Sequence, residues 1–177
     1  KASRLLEIVE EAQEDGRKII VFSFFLDTIQ KVTELLGTRC TEPINGSVAP
    51  QRRQEIVDEF NNAPAGSVLV AQIQSGGTGL NIQSASVVVL CEPQFKPSIE
   101  NQAISRAYRM GQTRDVLVYR LLADETIDER MLEILSTKQK EFDAFAEDSV
   151  IGDLQMQSDT SWLTKLVQEE QSRLGQQ

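Results

Sequence analysis

Gln102, Arg106 and Arg109 are spaced four and then three residues apart. On a helix, where each residue advances about 100°, that spacing gathers all three into one narrow polar arc with Ser105 beside them. Ala103, Ile104, Ala107 and Met110 take the other side. Small apolar residues let such a helix lie close on a sheet, which leaves two guanidinium groups one turn apart facing the same external spot. That arrangement suits an anion with several oxygens. The planar arginine fork donates two parallel hydrogen bonds and stays charged at every relevant pH. In phosphoryl transfer, an arginine set against the γ-phosphate is worth roughly 10³ to 10⁵ in rate. The spacing alone also fits a solvated face or structural ion pairs with an acidic surface.

Two other segments have chemistry-bearing compositions. Ser75-Gly76-Gly77-Thr78-Gly79-Leu80-Asn81 holds three glycines in four positions. Glycines permit positive φ and let backbone N–H groups approach a phosphate closely. A plain strand-to-helix turn remains open, whereas the dinucleotide fingerprint lacks its third glycine. In Cys91-Glu92-Pro93-Gln94-Phe95-Lys96-Pro97 an aromatic stands beside a cation, a pairing that can wedge at a minor groove or cover a base. The alternative is a buried Phe95 that closes the core under the loop.

The elements that must hold these residues follow from hydrophobic periodicity. Leu5, Leu6, Ile8, Val9 and Ala12 predict a helix closed by Gly16, followed by a buried strand over Ile19-Ile20-Val21-Phe22. Ile29, Val32, Leu35 and Leu36 predict a second helix ended by Gly37. Ile56, Val57 and Phe60 predict a third, with Pro50 near its start. A short strand is expected around Cys40. Val68-Leu69-Val70-Ala71 and Val87-Val88-Val89-Leu90 read as further buried strands, followed by a helix from about Ser98 to Met110 and a strand from Val116 to Leu121. Buried strands alternating with helices imply an α/β fold with a parallel sheet.

Beyond Leu122 the pattern becomes one long amphipathic brace helix, carrying Ile127, Met131, Ile134, Leu135, Phe142 and Phe145 on a common face. The expected organisation is a lobe over residues 1–122, a brace helix packed on it over 123–146, and a linker with a short C-terminal helix around Trp162 over 147–177.

The 177 residues carry a net charge of −9, no histidine, and two cysteines, Cys40 and Cys91, in unrelated surroundings. A zinc site and a histidine general base are thereby excluded. A broadly basic nucleic-acid footprint is excluded as well, so any DNA contact must be focused. No run of eighteen apolar residues occurs, and the expected setting is soluble and intracellular, away from membranes.

The stretch Gln102-Ala103-Ile104-Ser105-Arg106-Ala107-Tyr108-Arg109-Met110-Gly111-Gln112, followed by Val116 to Leu122, closely resembles the last helicase motif of Swi/Snf-type ATPases. That motif reads Q-A-x-x-R-A-x-R-x-G-Q before a V-x-V-Y-R-L strand. The glycine segment resembles the A-G-G-x-G-L-N segment of the same family, with Gln74 where the family carries a basic residue. Cys91 to Pro97 resembles its aromatic W-N-P loop, with Lys96 replacing the usual asparagine. Lys18 to Phe24 resembles the strand ending in F-S, and Ile44 to Ser47, Arg53-Gln54 and Phe60-Asn61 resemble the D-G-S, R-Q and F-N patterns, with Asn45 in place of aspartate.

The resemblance covers about residues 1 to 145 and implies the second RecA-like lobe of a DNA-dependent ATPase that translocates on or remodels duplex DNA complexes. It implies that Arg106 and Arg109 act as arginine fingers in trans to an N-terminal lobe, with Gln102, Gly77 and Gly79 on the nucleotide side. Ser75, Asn81, Phe95, Lys96 and Arg53 would stand on the DNA side, although a helix-surface role is equally open for Arg53.

Leu121-Leu122-Ala123-Asp124-Glu125 imitates a Walker B strand, but Thr126-Ile127-Asp128-Glu129 reads as a capping box that opens the brace helix and accounts for the same acids. No G-x-x-x-x-G-K-[ST] occurs. ATP and Mg²⁺ are therefore expected to bind mainly to a lobe N-terminal to Lys1 in a longer polypeptide. This chain alone is expected to need no cofactor or metal and to show little or no ATPase activity. A bacterial parent would act in the cytoplasm, on the nucleoid, and the Trp162 helix is a candidate contact for a protein partner. The rival readings are a non-catalytic DNA- or protein-binding regulatory lobe and an RNA-directed helicase lobe. The Gly111-Gln112 ending argues against the latter.

Overall fold

The computed structural model describes residues 1–75, 80–94, 96–108, 114–123, 126, 128 and 130–137. The expected brace helix beyond residue 137, the linker and the Trp162 helix lie outside them. The chain divides into two compact units, Lys1–Leu122 and Ala123–Gln177.

In the first unit the β-branched runs form four strands: β1 (Lys18–Ser23), β2 (Val68–Gln72), β3 (Ala85–Leu90) and β4 (Leu117–Arg120). They pair in the order β2-β1-β3-β4, every pair parallel. The first strand in sequence is therefore interior, and β4 is a half-exposed edge.

Side chains alternate across each strand, so every strand serves two cores. Ile20, Phe22, Leu69, Ala71, Val88 and Leu90 pack against Ile56, Val57 and Phe60 of α3 (Pro50–Asn62) and Ala103 and Ala107 of α4 (Pro97–Ala107). Ile19, Val21, Val68, Val70, Val87 and Val89 pack on the opposite face. Their partners are Leu5, Ile8, Val9 and Ala12 of α1 (Ala2–Glu14) and Ile29, Val32 and Leu36 of α2 (Leu26–Leu36). Burial on both faces is why the strands read as unbroken apolar runs.

Two expectations change. The segment around Cys40 makes only isolated bridges, Cys40 to Val68 and Ile44 to Ala71. Thr41 and Ile44 donate to Val68 and Val70 of β2, but Pro43 between them has no N–H to offer, and the ladder breaks there. Helix α4 ends at Ala107 instead of Met110. Tyr108 leaves the helical region (φ −96°, ψ 113°) and is 64% exposed, while Ala103 and Ala107 fasten the helix to the sheet.

In the second unit Thr126 Oγ1 donates to the Ala123 carbonyl (2.7 Å) and accepts the Asp128 N–H (3.3 Å). An Asp128 carboxylate oxygen accepts the Ala123 N–H (3.2 Å). The cap thus forms with Asp128 as the reciprocal acceptor, while Asp124, Glu125 and Glu129 lie outside the described residues. Residues 130–137 are helical.

Candidate functional site

In an open parallel sheet, ligands bind in the crevice beyond the carboxyl ends of the strands, where the strand order reverses. Here the order reverses between β1 and β3. The loops after β1, β2 and β3, and the 44–48 loop beside β2, gather at that end.

On α4, Gln102 and Ser105 are exposed and Arg106 is half-buried at their flank, so three members of the expected polar arc do share one face. Ser105 Oγ donates to the Gln102 carbonyl (2.8 Å). The helix ends at Ala107, and Arg109 lies outside the described residues with Gly77, Gly79 and Phe95. Lys96 is exposed and stands at the N-cap of α4 with an extended backbone.

Two of the other expected contacts, Ser75 and Arg53, make hydrogen bonds within the loops. Ser75 is buried, its hydroxyl donating to Gln72 Oε1 (3.1 Å), so it locks a turn instead of facing outward. Arg53 donates through Nε to the Val48 carbonyl (2.7 Å) and through a terminal nitrogen to that of Gly46 (3.1 Å), which fixes the 46–48 loop. Asn81 is exposed. Its carbonyl accepts the Asn61 amide (3.1 Å), and Ser84 Oγ donates to Asn61 Oδ1 (2.6 Å). At the aspartate-to-asparagine departure, Asn45 Oδ1 accepts both the N–H (2.9 Å) and the hydroxyl (2.6 Å) of Ser47, closing a local turn.

The motifs did not single out the residues that join these loops. Gln72, at the end of β2, accepts Gly46 N–H (3.0 Å) and the Ser75 hydroxyl, and donates to the Phe24 carbonyl (3.2 Å). One amide therefore bridges three loops. A second junction runs between strands. Glu92 accepts the Ser23 hydroxyl at 3.1 Å and the Phe24 N–H. Gln94, 3% exposed, donates its side-chain amide to the Glu92 carbonyl (3.2 Å) and its backbone N–H to Glu100 Oε1 (3.1 Å). Glu100 Oε2 then meets Arg120 Nε at 2.7 Å.

Burial pushes the Glu92 carboxyl above its ordinary value, although the Phe24 N–H and Ser23 hydroxyl both favour the ionised form. Burial also pushes the Cys91 thiol up to about 12, with Glu92 adding to the rise, so it is no nucleophile. One signal for Glu100 is present in the sequence: it heads the stripe that continues through Ala103 and Ala107, where a charge needs a partner.

Among the described residues no group of three or more His, Cys, Asp or Glu could hold a metal ion.

A parallel sheet between helical layers, with motif loops at its carboxyl ends and an arginine helix beside them, defines a RecA-like lobe of the helicase type. Residues 1–111 match the family model described as helicase conserved C-terminal domain, and the chain belongs to that family. An uncharacterized ATP-dependent helicase of Mycoplasma pneumoniae is 38% identical over 142 residues, 79% of this chain and 14% of that protein. A putative ATP-dependent helicase/translocase of Bacillus subtilis is 30% identical over 177 residues, covering 98% of this chain and 18% of that protein.

Among solved structures, the Sulfolobus solfataricus SWI2/SNF2 ATPase core domain superposes with a TM-score of 0.68 at 31% identity, covering 96% of this chain and 33% of that one. The C-terminal part of the Fun30 ATPase domain gives 0.70 at 25% identity, covering 74% and 43%. The resemblance to second lobes of Swi/Snf-type ATPases holds, RecA-like fold included. The chain spans 14% and 18% of the length of these two curated relatives.

Proposed function

We propose that this chain is the second lobe of an ATP-driven translocase that moves on, or remodels, complexes of duplex DNA. In this reading Arg106, with Arg109, completes a nucleotide site built mainly by a preceding N-terminal lobe. The observation that carries the reading is the α4 face on which Gln102, Ser105 and Arg106 lie together, within a chain of the helicase C-terminal family. ATP supplies the phosphoryl group whose transfer to water drives the motion, and magnesium is held by the other lobe.

What this chain contributes is placement. The Arg106 guanidinium meets charge that develops on the transferring group, and Gln102 orients the nucleotide beside it. The loops at residues 44–48 and 73–81, together with Phe95 and Lys96, face the duplex, and Arg53 and Ser75 set their shape from within. Alone, the chain carries no G-x-x-x-x-G-K-[ST] sequence and hydrolyses little or no ATP. The parent works inside the cell, on the nucleoid in a bacterium.

The test is Arg106→Ala, alone and with Arg109→Ala, in the full-length protein. DNA-stimulated hydrolysis should fall by about 10³-fold or more while ATP binding is largely kept. ATPase activity retained in the double variant refutes the finger assignment. Stimulation by RNA in preference to duplex DNA moves the reading to an RNA-directed lobe, and absence of hydrolysis in the parent leaves a binding module.

A further inference from the structure

We infer that Glu100 is a positioning residue for hydrolysis: its two carboxylate oxygens fasten α4, and with it Arg106, to β4 and to the loop after β3 at once. The inference rests on the proposed role of Arg106 and adds the means by which that arginine is held.

Glu100 lies on the buried stripe of α4. Ala103 and Ala107 in that stripe are 2% and 1% exposed, and Glu100 is 8% exposed. A leucine or methionine would fill such a position without desolvating a charge, and a carboxylate there is tolerated only when paired and hydrogen-bonded. Here it is both. Oε2 receives Arg120 Nε from β4 (2.7 Å), and Oε1 receives the backbone N–H of Gln94 (3.1 Å).

Apolar packing resists separation of the helix from the sheet but only weakly resists its rotation or sliding. Two directional bonds to two different elements resist both. Glu100 and Arg106 belong to one unbroken helix, about 9 Å apart along its axis. An error in the angle at Glu100 is therefore carried to Arg106. The same carboxylate is joined through Gln94 to Glu92, and so to Ser23 at the end of β1. The loop that carries the candidate DNA-side pair Phe95 and Lys96 is thus tied directly to the arginine helix.

The variant that tests this is Glu100→Gln in the full-length protein. An amide is nearly isosteric, but it can accept from only one of the two donors and must turn its own N–H toward the other, so one link breaks. We expect kcat of duplex-stimulated hydrolysis to fall about tenfold to a hundredfold, with KM for ATP within about threefold of its starting value.

Arg120→Gln breaks the pair from the half-exposed strand end without touching α4 and should act in the same direction. It decides by the same readout if Glu100→Gln fails to fold. Unchanged kcat in a folded variant, or a loss expressed in KM alone, overturns the inference. Arg106→Ala measured alongside separates the two claims. If Arg106→Ala abolishes hydrolysis and Glu100→Gln does not slow it, the positioning role alone is wrong. If Arg106→Ala is active, the function reading falls and this inference falls with it.

Discussion

Ser23 and Glu92 meet across the carboxyl ends of β1 and β3, the serine hydroxyl donating to the carboxylate at 3.1 Å. Burial nevertheless outweighs this donor and the Phe24 N–H, and the folded state holds the Glu92 proton more tightly than the unfolded chain does. The sign of the pH dependence follows. The contribution is full below the unfolded carboxylate value and is lost as pH rises through the higher folded one. Denaturant midpoints measured from about pH 4 to 8 should show part of the wild-type fall removed in Glu92→Gln. A wild-type-to-variant difference that stays constant over that range would rule this out.

Lys18 Nζ donates to the carbonyls of Phe60 (3.0 Å) and Asn61 (2.7 Å) in the last turn of α3 and lies over the Phe60 ring. It thus caps the end of the helix, adding a donor to the Phe60 carbonyl, which also accepts the Ala63 N–H (3.2 Å). Lys18→Met keeps the apolar stem and removes the cap. We expect a loss of about 1–2 kcal/mol, read from urea unfolding. An unchanged midpoint would show that water caps the helix equally well.

Gln72→Leu leaves the Gly46 N–H and the Ser75 hydroxyl without their acceptor. Loss of stability should be about 1–2 kcal/mol. Amide exchange should rise selectively at Gly46 and in the turn at 73–75, ahead of the strands. Uniform acceleration over the whole sheet would instead indicate global destabilisation.

Gly66 has φ +83°, and a Cβ there would stand 3.2 Å from Gln13 Cγ. Its carbonyl also accepts the Gln13 amide at 2.8 Å. Gly66→Ala therefore meets both backbone strain and a crowded neighbour. It should lower stability by about 1–2 kcal/mol, seen as a fall in Tm, and a gain in Tm would contradict the conformation.

The strands were readable because burial on both faces leaves runs such as Ile19 to Phe22 and Val87 to Leu90 with no polar interruption. The helix ends marked by Gly16 and Gly37 were readable because their positive φ values, 63° and 55°, call for glycine. The end of α4 was not. Ala107-Tyr108-Arg109-Met110 keeps helical periodicity in its residue types, and nothing in them marks the extended backbone that Tyr108 adopts. The Glu92-Gln94-Glu100-Arg120 junction was hidden for a related reason. Its members come from a loop, a helix and an edge strand, and only Glu100, at the head of the apolar stripe of α4, carries a signal before the fold brings them together. For Ser75 and Arg53, family position says nothing about whether the hydroxyl turns toward the Gln72 side chain or the guanidinium toward the Val48 and Gly46 carbonyls.

The strand order also bears on how the chain must be made. Strand β1 emerges first yet lies between β2 and β3, so Ile19 pairs with Val68 on one side and Val87 on the other. Until both have left the ribosome, a ribbon with the apolar run Ile19 to Phe22 has two open edges and no local hairpin to shelter it. Its assembly waits on distant loop closures. A nascent chain stopped near residue 80 would therefore be a better substrate for a chaperone than for its own folding.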